Sequence, residues 1–433
     1  MDTLIKALQV ILALSLLIFI HELGHFMWAK IFHIRVDKFY LFFDIGGKRI
    51  ARWRWGETEF GIGWLPLGGY CKISGMVDES MDLEQMRSEP QPWEYRSHPA
   101  WQRLFVTAGG VLNNFIFAII CYIGIMAGWG QSYIANQGTK VFVSDLAYEM
   151  GFRTGDEILS LDDYVPENFA SLQADIARRD VRKATVLRGG DTLDIYIDQA
   201  MISEVLNAPL LFDIALPFVI DSVAADGPNA ASGLLHGDRV TAFGGKDVEF
   251  LQDAREVLEG LRGASIDAVV VRGADTLAVP VLVDTAGRIG VYMVMPNIKK
   301  QEYTILSAIP AGFKLTGDTI KGYLQDLRLL ATPSTGAYKS VGSFIAIGQV
   351  FPAIWDWFKF INIIALLSIM LGVMNLIPIP GLDGGHIAFT LFEMITGRKP
   401  GEKFLVAAQM IGMILLIGLM ILAFGNDIGR LIH

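Results

Sequence analysis

Apolar side chains run almost unbroken at four places in this chain, and the stretches between them follow other periods. The first, Leu4 to about Phe32, opens LIKALQVILALSLLIFI, in which Lys6 and Gln9 are the only charged or strongly polar residues. Leu104–Trp129, Phe360–Ile379 and Phe404–Phe424 are the others. Each meets the roughly 20 apolar residues that a helix needs to cross a bilayer. No small-residue cleavage site follows the first, so it reads as a retained span and not as a signal peptide. The pattern predicts a polytopic α-helical membrane protein with four transmembrane helices: 1–33, 104–129, 360–386 with the motif that ends it, and 404–424.

The segment 34–103 changes period. RVDKFYLFF, RIARWRWG and TEFGIGWLPLGGYCKI are short, aromatic and strand-like, separated by Gly turns. They predict a membrane-associated β-hairpin region with Trp53 and Trp55 as interfacial anchors. Met76–Ser97 is polar and reads as a cytoplasmic connector, as does 387–403. The 296–358 linker holds ILSAIPAGFKLTGDTIKGYLQDLRLL, an amphipathic helix expected on the outer membrane face or beneath the preceding domains.

Between spans two and three one unit occurs twice. GFRTGDEI from Gly151 returns as GLLHGDRV from Gly233, and RGGDTL from Arg188 returns as RGADTL from Arg272. The offsets are 82 residues from Asp156 to Asp238 and 84 from Arg188 to Arg272, the mark of a duplicated domain. Helical stretches, Pro166–Arg179 and Phe250–Leu261, lie between the echoes. This order resembles that of circularly permuted PDZ domains, which implies two PDZ-like α+β domains at 135–200 and 208–295. Such domains take extended peptides or chain ends by strand addition.

Composition narrows the class. The 433 residues are 52% hydrophobic with net charge −9 and no Lys/Arg-rich block, which argues against nucleic-acid partners. Cys71 and Cys121 are too few for a disulfide framework or a CxxC site. Lys30, Arg35, Lys38, Arg96 and Arg103 flank the first loop, and Arg398, Lys399 and Lys403 the last, which places both loops in the cytoplasm and the PDZ-like domains outside.

The candidate chemistry sits inside the apolar segments. His21-Glu22-Leu23-Gly24-His25 is an HExxH in the first span. Positions i and i+4 share one helix face, so both imidazoles reach one metal ion with Glu22 placed as general base. Ionisable groups at that depth cost roughly 2.5–3.5 kcal/mol each, and they persist where they have a function. Catalytic zinc takes three protein ligands and keeps an open position. Trp28 and Ile31 occupy the positions where a longer HExxHxxGxxH would need Gly and His, and His33 lies roughly 80° off the ligand face. Asp44 is a local rival. Asp383, in NLIPIPGLDGGH (375–386), is the better candidate, with His386 competing. Its prolines and glycines break the third span near the inner end, and broken backbone at that depth lines cavities. His21 lies about 26 Å along the first span, at the matching depth.

HELGH in a first span, NLIPIPGLDGGH after a later one, LPLGGYCKI (65–73) and GGVLNNF (109–115) together resemble the site-2 protease family over nearly the whole chain. That resemblance implies an intramembrane endopeptidase with one Zn2+ per chain, bound by His21, His25 and Asp383, and Glu22 as base. It implies substrate-binding roles for Asn375 and for Asn113 or Asn114, alignment on Gly110 favouring Asn114. It further implies the lipid bilayer and single-span transmembrane proteins as partners, a bacterial inner membrane, and a site near the cytoplasmic side. Two other functions fit the pattern: a non-catalytic PDZ scaffold with a structural metal, and a membrane-bound zinc protease acting on cytosolic-side substrates.

Overall fold

Helices of the expected length and polarity stand at all four places: Thr3–Ile31, Ala100–Trp129, Trp357–Leu376 and Phe404–Gly429, hereafter the first to fourth spans. The computed structural model describes residues 2–66, 68–76, 89–296, 298–335 and 342–432, so most of the connector expected at Met76–Ser97 lies outside the described residues. The chain forms two units. One takes the described residues of Met1–Gly130, Glu302–Ala331 and Tyr338–His433; the other takes Gln131–Gln301 with those of Thr332–Ala337.

The second span is the centre of the membrane unit. Its apolar window is 44% buried inside the protein, against 17% for the first span and 11% for the fourth. Lipid tails are as apolar as leucine, so helices there associate by close packing, which small residues permit. Gly24 of the first span meets Gly109 of the second; a Cβ on Gly109 would come within 2.6 Å of the Gly24 carbonyl oxygen. The 305–330 helix lies along the second and third spans. The reason is a stripe of small residues four apart, Ala308, Gly312 and Thr316, all buried. A Cβ on Gly312 would sit 2.8 Å from the Ile123 backbone nitrogen.

The third span ends at Leu376, three residues short of the apolar run, because Pro378 and Pro380 can neither donate the helical hydrogen bond nor fit the preceding turn. A separate helix restarts at Asp383 and runs to Thr396. The expected boundary at 386/387 therefore falls inside a helix. Its buried Ile387 and Thr390 pack it into the unit, and its Glu393 pairs with Arg103 of the second span.

The strand-like segment after the first span forms one four-stranded sheet, β1 (Val36–Leu41), β2 (Arg49–Trp55), β3 (Thr58–Gly63) and β4 (Tyr70–Ile73), in the order β2-β3-β1-β4. β2 and β3 make the expected hairpin around Gly56, which adopts φ 60. β1 runs parallel to β3 and antiparallel to β4, leaving β4 at the edge. Phe39 and Phe60 carry one face of the sheet onto Phe26 of the first span, with ring centroids 5.5 and 5.7 Å away.

The other unit builds two hydrophobic cores, one around Phe152, Ile158 and Leu172 and one around Phe243, Val270 and Val281. The sequence echoes return as one repeated network. Asp156 accepts the Arg153 backbone N–H and both arms of Arg188, whose Nη2 also donates to the Gly151 carbonyl. Asp238 does the same with Leu235, Arg272 and Gly233. Both carboxylates are fully buried. Gly151, Gly155, Gly233 and Gly237 have φ between 87 and 102, which explains why glycine recurs at these places.

The Arg272 hydrogen bonds hold the Asp238 carboxyl below the usual carboxylate range. A carboxyl lowered on folding stabilises above its unfolded pKa, about 3.9, and that contribution disappears as pH falls through the folded value. Asp238→Asn should therefore cost stability at pH 6–7, and its deficit against wild type should shrink below about pH 4. Hydrogen exchange of residues 233–282 across that range checks this; a deficit independent of pH would contradict it.

Candidate metal centre

The HExxH helix and the restarted helix after the third span meet at three donor atoms. His25 Nε2 lies 3.3 Å from His21 Nε2, and Asp383 Oδ2 lies 3.2 Å from His21 Nε2 and 3.4 Å from His25 Nε2. A tetrahedral ion with bonds of about 2.0–2.1 Å separates its donors by about 3.3 Å, so this triangle is the size that zinc requires. Asp383 Oδ2 is buried and makes no hydrogen bond, an orphaned acceptor that a cation would satisfy. Among the described residues, His21, His25 and Asp383 are the one group of three His, Cys, Asp or Glu whose ligand atoms converge in this way.

Groups behind the ligands fix their orientation. His25 Nδ1 donates to the Val106 carbonyl at 2.8 Å, which leaves Nε2 free for an ion. Asn114 Nδ2 lies 3.1 Å from His21 Nδ1, and its buried Oδ1 has no partner. With Nε2 committed to a metal, Nδ1 carries the proton, and the same amide turned over presents Oδ1 as the acceptor. Gly110 leaves room for this: a Cβ there would fall 2.6 and 2.8 Å from His21 Cε1 and Nδ1.

On the opposite side a cavity of about 660 Å³ opens onto the triangle, lined among others by Glu22, Cys71, Asn375 and Gln409. The Cys71 backbone N–H of edge strand β4 bonds the Glu22 carboxylate, which ties Glu22 to the sheet. Asn375 Nδ2 stands 3.4 Å from His21 Nε2, at the rim of the ligand triangle.

The remaining candidates separate cleanly. Asn114 is fully buried and does not line the cavity, so it differs from the expected substrate contact: it backs a histidine ligand. Asn113 donates instead to the Ile20 carbonyl at 3.3 Å. Asp44 lines the cavity but accepts the Tyr70 hydroxyl at 3.0 Å, and His386 lines it one turn beyond Asp383. Neither belongs to the converging group. His33 is exposed at the end of the first helix with φ 60. The close approach of Gly24, Gly109 and Gly110 and the hydrogen bond of the Val106 carbonyl to His25 escaped sequence reading. The Gly-Gly pair inside an apolar helix was the available signal, since small residues mark close helix crossings.

The model of peptidase family M50 matches residues 9–419. A protein of Vibrio cholerae named "Putative zinc metalloprotease" is 26% identical, covering 99% of this chain and 100% of its own length. "Metalloprotease MmpA" of Caulobacter vibrioides is 25% identical, covering 99% and 96%. A Neisseria meningitidis protein named "Putative zinc metalloprotease NMA0084" is 27% identical over 98% and 99%.

Gly110→Ala should push the His21 ring out of the triangle and lower zinc affinity by about 10–100-fold, the effect of disturbing a ligand's support. Gly124→Ala, on the same helix but facing open space, should leave it unchanged. Zinc retention during competition with a chelator measures both; equal retention would contradict the packing argument.

Proposed function

The chain belongs to peptidase family M50 and is a multi-pass membrane zinc metalloprotease, and on that premise we propose that it hydrolyses peptide bonds within transmembrane segments of single-span proteins. The observation that carries this reading is the depth of the donor triangle: two ligands come from a membrane-spanning helix and the third from just beyond the broken end of another. His21, His25 and Asp383 are the zinc ligands in this reading. Zinc would supply Lewis acidity toward the scissile carbonyl and a water activated near neutral pH.

The chain's own groups do the rest. Glu22 takes the proton of the attacking water and delivers it to the leaving nitrogen. Asn375, at the rim, holds the substrate backbone or the developing oxyanion. A transmembrane helix has every amide bonded internally, so it must open before it can be cut. The edge of β4 lines the cavity and offers main-chain partners to the opened segment.

Within the family the motifs are similar to those of the bacterial regulator-of-sigma-E protease. That supports the bacterial inner membrane as the location, a site toward the cytoplasmic side, and two PDZ-like domains outside. Those domains would read new chain ends or hold back substrates whose outer part has not been trimmed. Trimmed anti-sigma factors and signal-peptide remnants are substrates of the right form.

In zinc-loaded proteoliposomes, wild type should cut a trimmed single-span protein inside its apolar segment and spare the untrimmed one. Glu22→Gln should keep one zinc per chain and lose about 10²–10⁴-fold in rate. Mass spectrometry of the products locates the cut. Cleavage outside the apolar segment contradicts the intramembrane reading, and equal cleavage of both forms contradicts the filter.

A further inference from the structure

Polar side chains are scarce in the fourth span, where Gln409 is the only one between Phe404 and Gly425. An amide in that setting requires a hydrogen-bonding partner, because lipid supplies none. Gln409 is 7% exposed and lines the cavity that holds Glu22 and Asp383. Among the described residues it is the only one of its span to do so, and its amide makes no hydrogen bond to any of them.

Backbone packing sets its direction. Residues three apart share a face of a helix, and Gly412 stands three beyond Gln409. Gly412 lies directly against Pro380, where a Cβ would overlap the carbonyl oxygen, and a Cβ on Gly381 would lie 3.6 Å from the Met413 backbone nitrogen. The turn that breaks the third span therefore fixes the rotation of the fourth, and the face it selects carries Gln409. Gly381, Leu382 and Asp383 share the cavity with it.

An amide does not ionise at working pH, and zinc takes its protein ligands from His, Cys, Asp and Glu. Neither proton transfer nor metal binding accounts for Gln409. Its donors and acceptor match a different need. The cavity includes the edge of β4, Tyr70–Ile73. A peptide laid along that edge pairs one row of its main-chain groups and leaves the N–H and C=O groups of its other edge bare. In apolar surroundings those groups need partners too. A primary amide carries two donors and an acceptor, so it can take the N–H and C=O of a peptide chain at once.

We propose that the Gln409 amide binds the main chain of the opened substrate on the edge turned away from β4. The inference rests on the proteolytic reading above and adds how that substrate is held: by its backbone, whatever its side chains.

The test uses the zinc-loaded full-length protein in phosphatidylcholine proteoliposomes. Its substrates are single-span peptides, each with one backbone N–H around the cut replaced by an ester oxygen. Wild type and Gln409→Met, a side chain of similar length without the amide, are compared by kcat/KM and by zinc retention. Gln409→Met should retain zinc and cut the all-amide peptide about 3–10-fold less efficiently, the effect of one hydrogen bond. One ester position should cost wild type the same factor, and Gln409→Met should be indifferent to that ester alone. Esters at positions paired with β4 should slow both proteins equally. Easier opening of an ester-containing helix affects both alike and cancels in their ratio. Identical ester profiles overturn the proposal even where the variant is slower, since packing or a held water would then explain Gln409. So does a wild-type rate in Gln409→Met, and so does loss of zinc from it, which would make Gln409 a support of the metal site. Binding of the same peptides is measured with Glu22→Gln, with and without Gln409→Met. Coupling to one ester in binding, without cleavage by wild type, supports the contact and overturns the proteolytic reading alone. Absence of both coupling and cleavage overturns both.

Discussion

Ionisable groups in apolar surroundings must satisfy one another or a bound cation, and that constraint organises the membrane unit. Two imidazoles and a carboxylate at this depth are tolerable only if their donors converge, and they stand 3.2–3.4 Å apart. Convergence demands that two distant parts of the chain meet beside a third helix able to come very close. The second span supplies that backing through Gly109 and Gly110, the Val106 carbonyl and Asn114. On the other side Gly384 and Gly385 let the restarted helix fold back onto the Ile377–Pro380 turn. Where Pro380 meets the fourth span, Gly412 keeps that helix bare of side chain.

The sheet joins this buried chemistry to the wall of the cavity. Its aromatic face is fastened to the HExxH helix through Phe26, its edge strand bonds Glu22 through Cys71, and its polar face continues the cavity wall. One small element therefore holds Glu22 and borders the cleft. Its mixed topology serves this arrangement: the hairpin lies outermost, and β1 lies between it and the edge strand at the site.

Much of this was legible in the sequence because membranes enforce simple patterns. Apolar length gave the four spans, the HExxH spacing gave two donors on one face, and the broken NLIPIPGLDGG stretch pointed to Asp383 at a matching depth. The duplicated Gly-Asp turns and their distant Arg partners were visible as repeats, although their pairing, Asp156 with Arg188 and Asp238 with Arg272, required the fold. Helix contacts were less legible. The 305–330 helix reads as amphipathic, yet its small-residue stripe and not its polar side decides where it packs. Asn114 fell to the same blindness, since a motif match cannot say whether a side chain faces substrate or the back of a ligand. Register was invisible as well, and only the pairing of β1 with β3 and β4 puts Cys71 of the edge strand beside Glu22.

The central claim is the identity of the zinc ligands, and X-ray absorption at the zinc edge of the full-length protein tests it most directly. Two imidazole nitrogens and oxygen donors at about 2.0–2.1 Å, in four-coordination, are the predicted shell. One imidazole should disappear in His21→Ala with no sulfur replacing it. A sulfur scatterer at about 2.3 Å, which would implicate Cys71, or a third imidazole, which would implicate His386, would contradict the account.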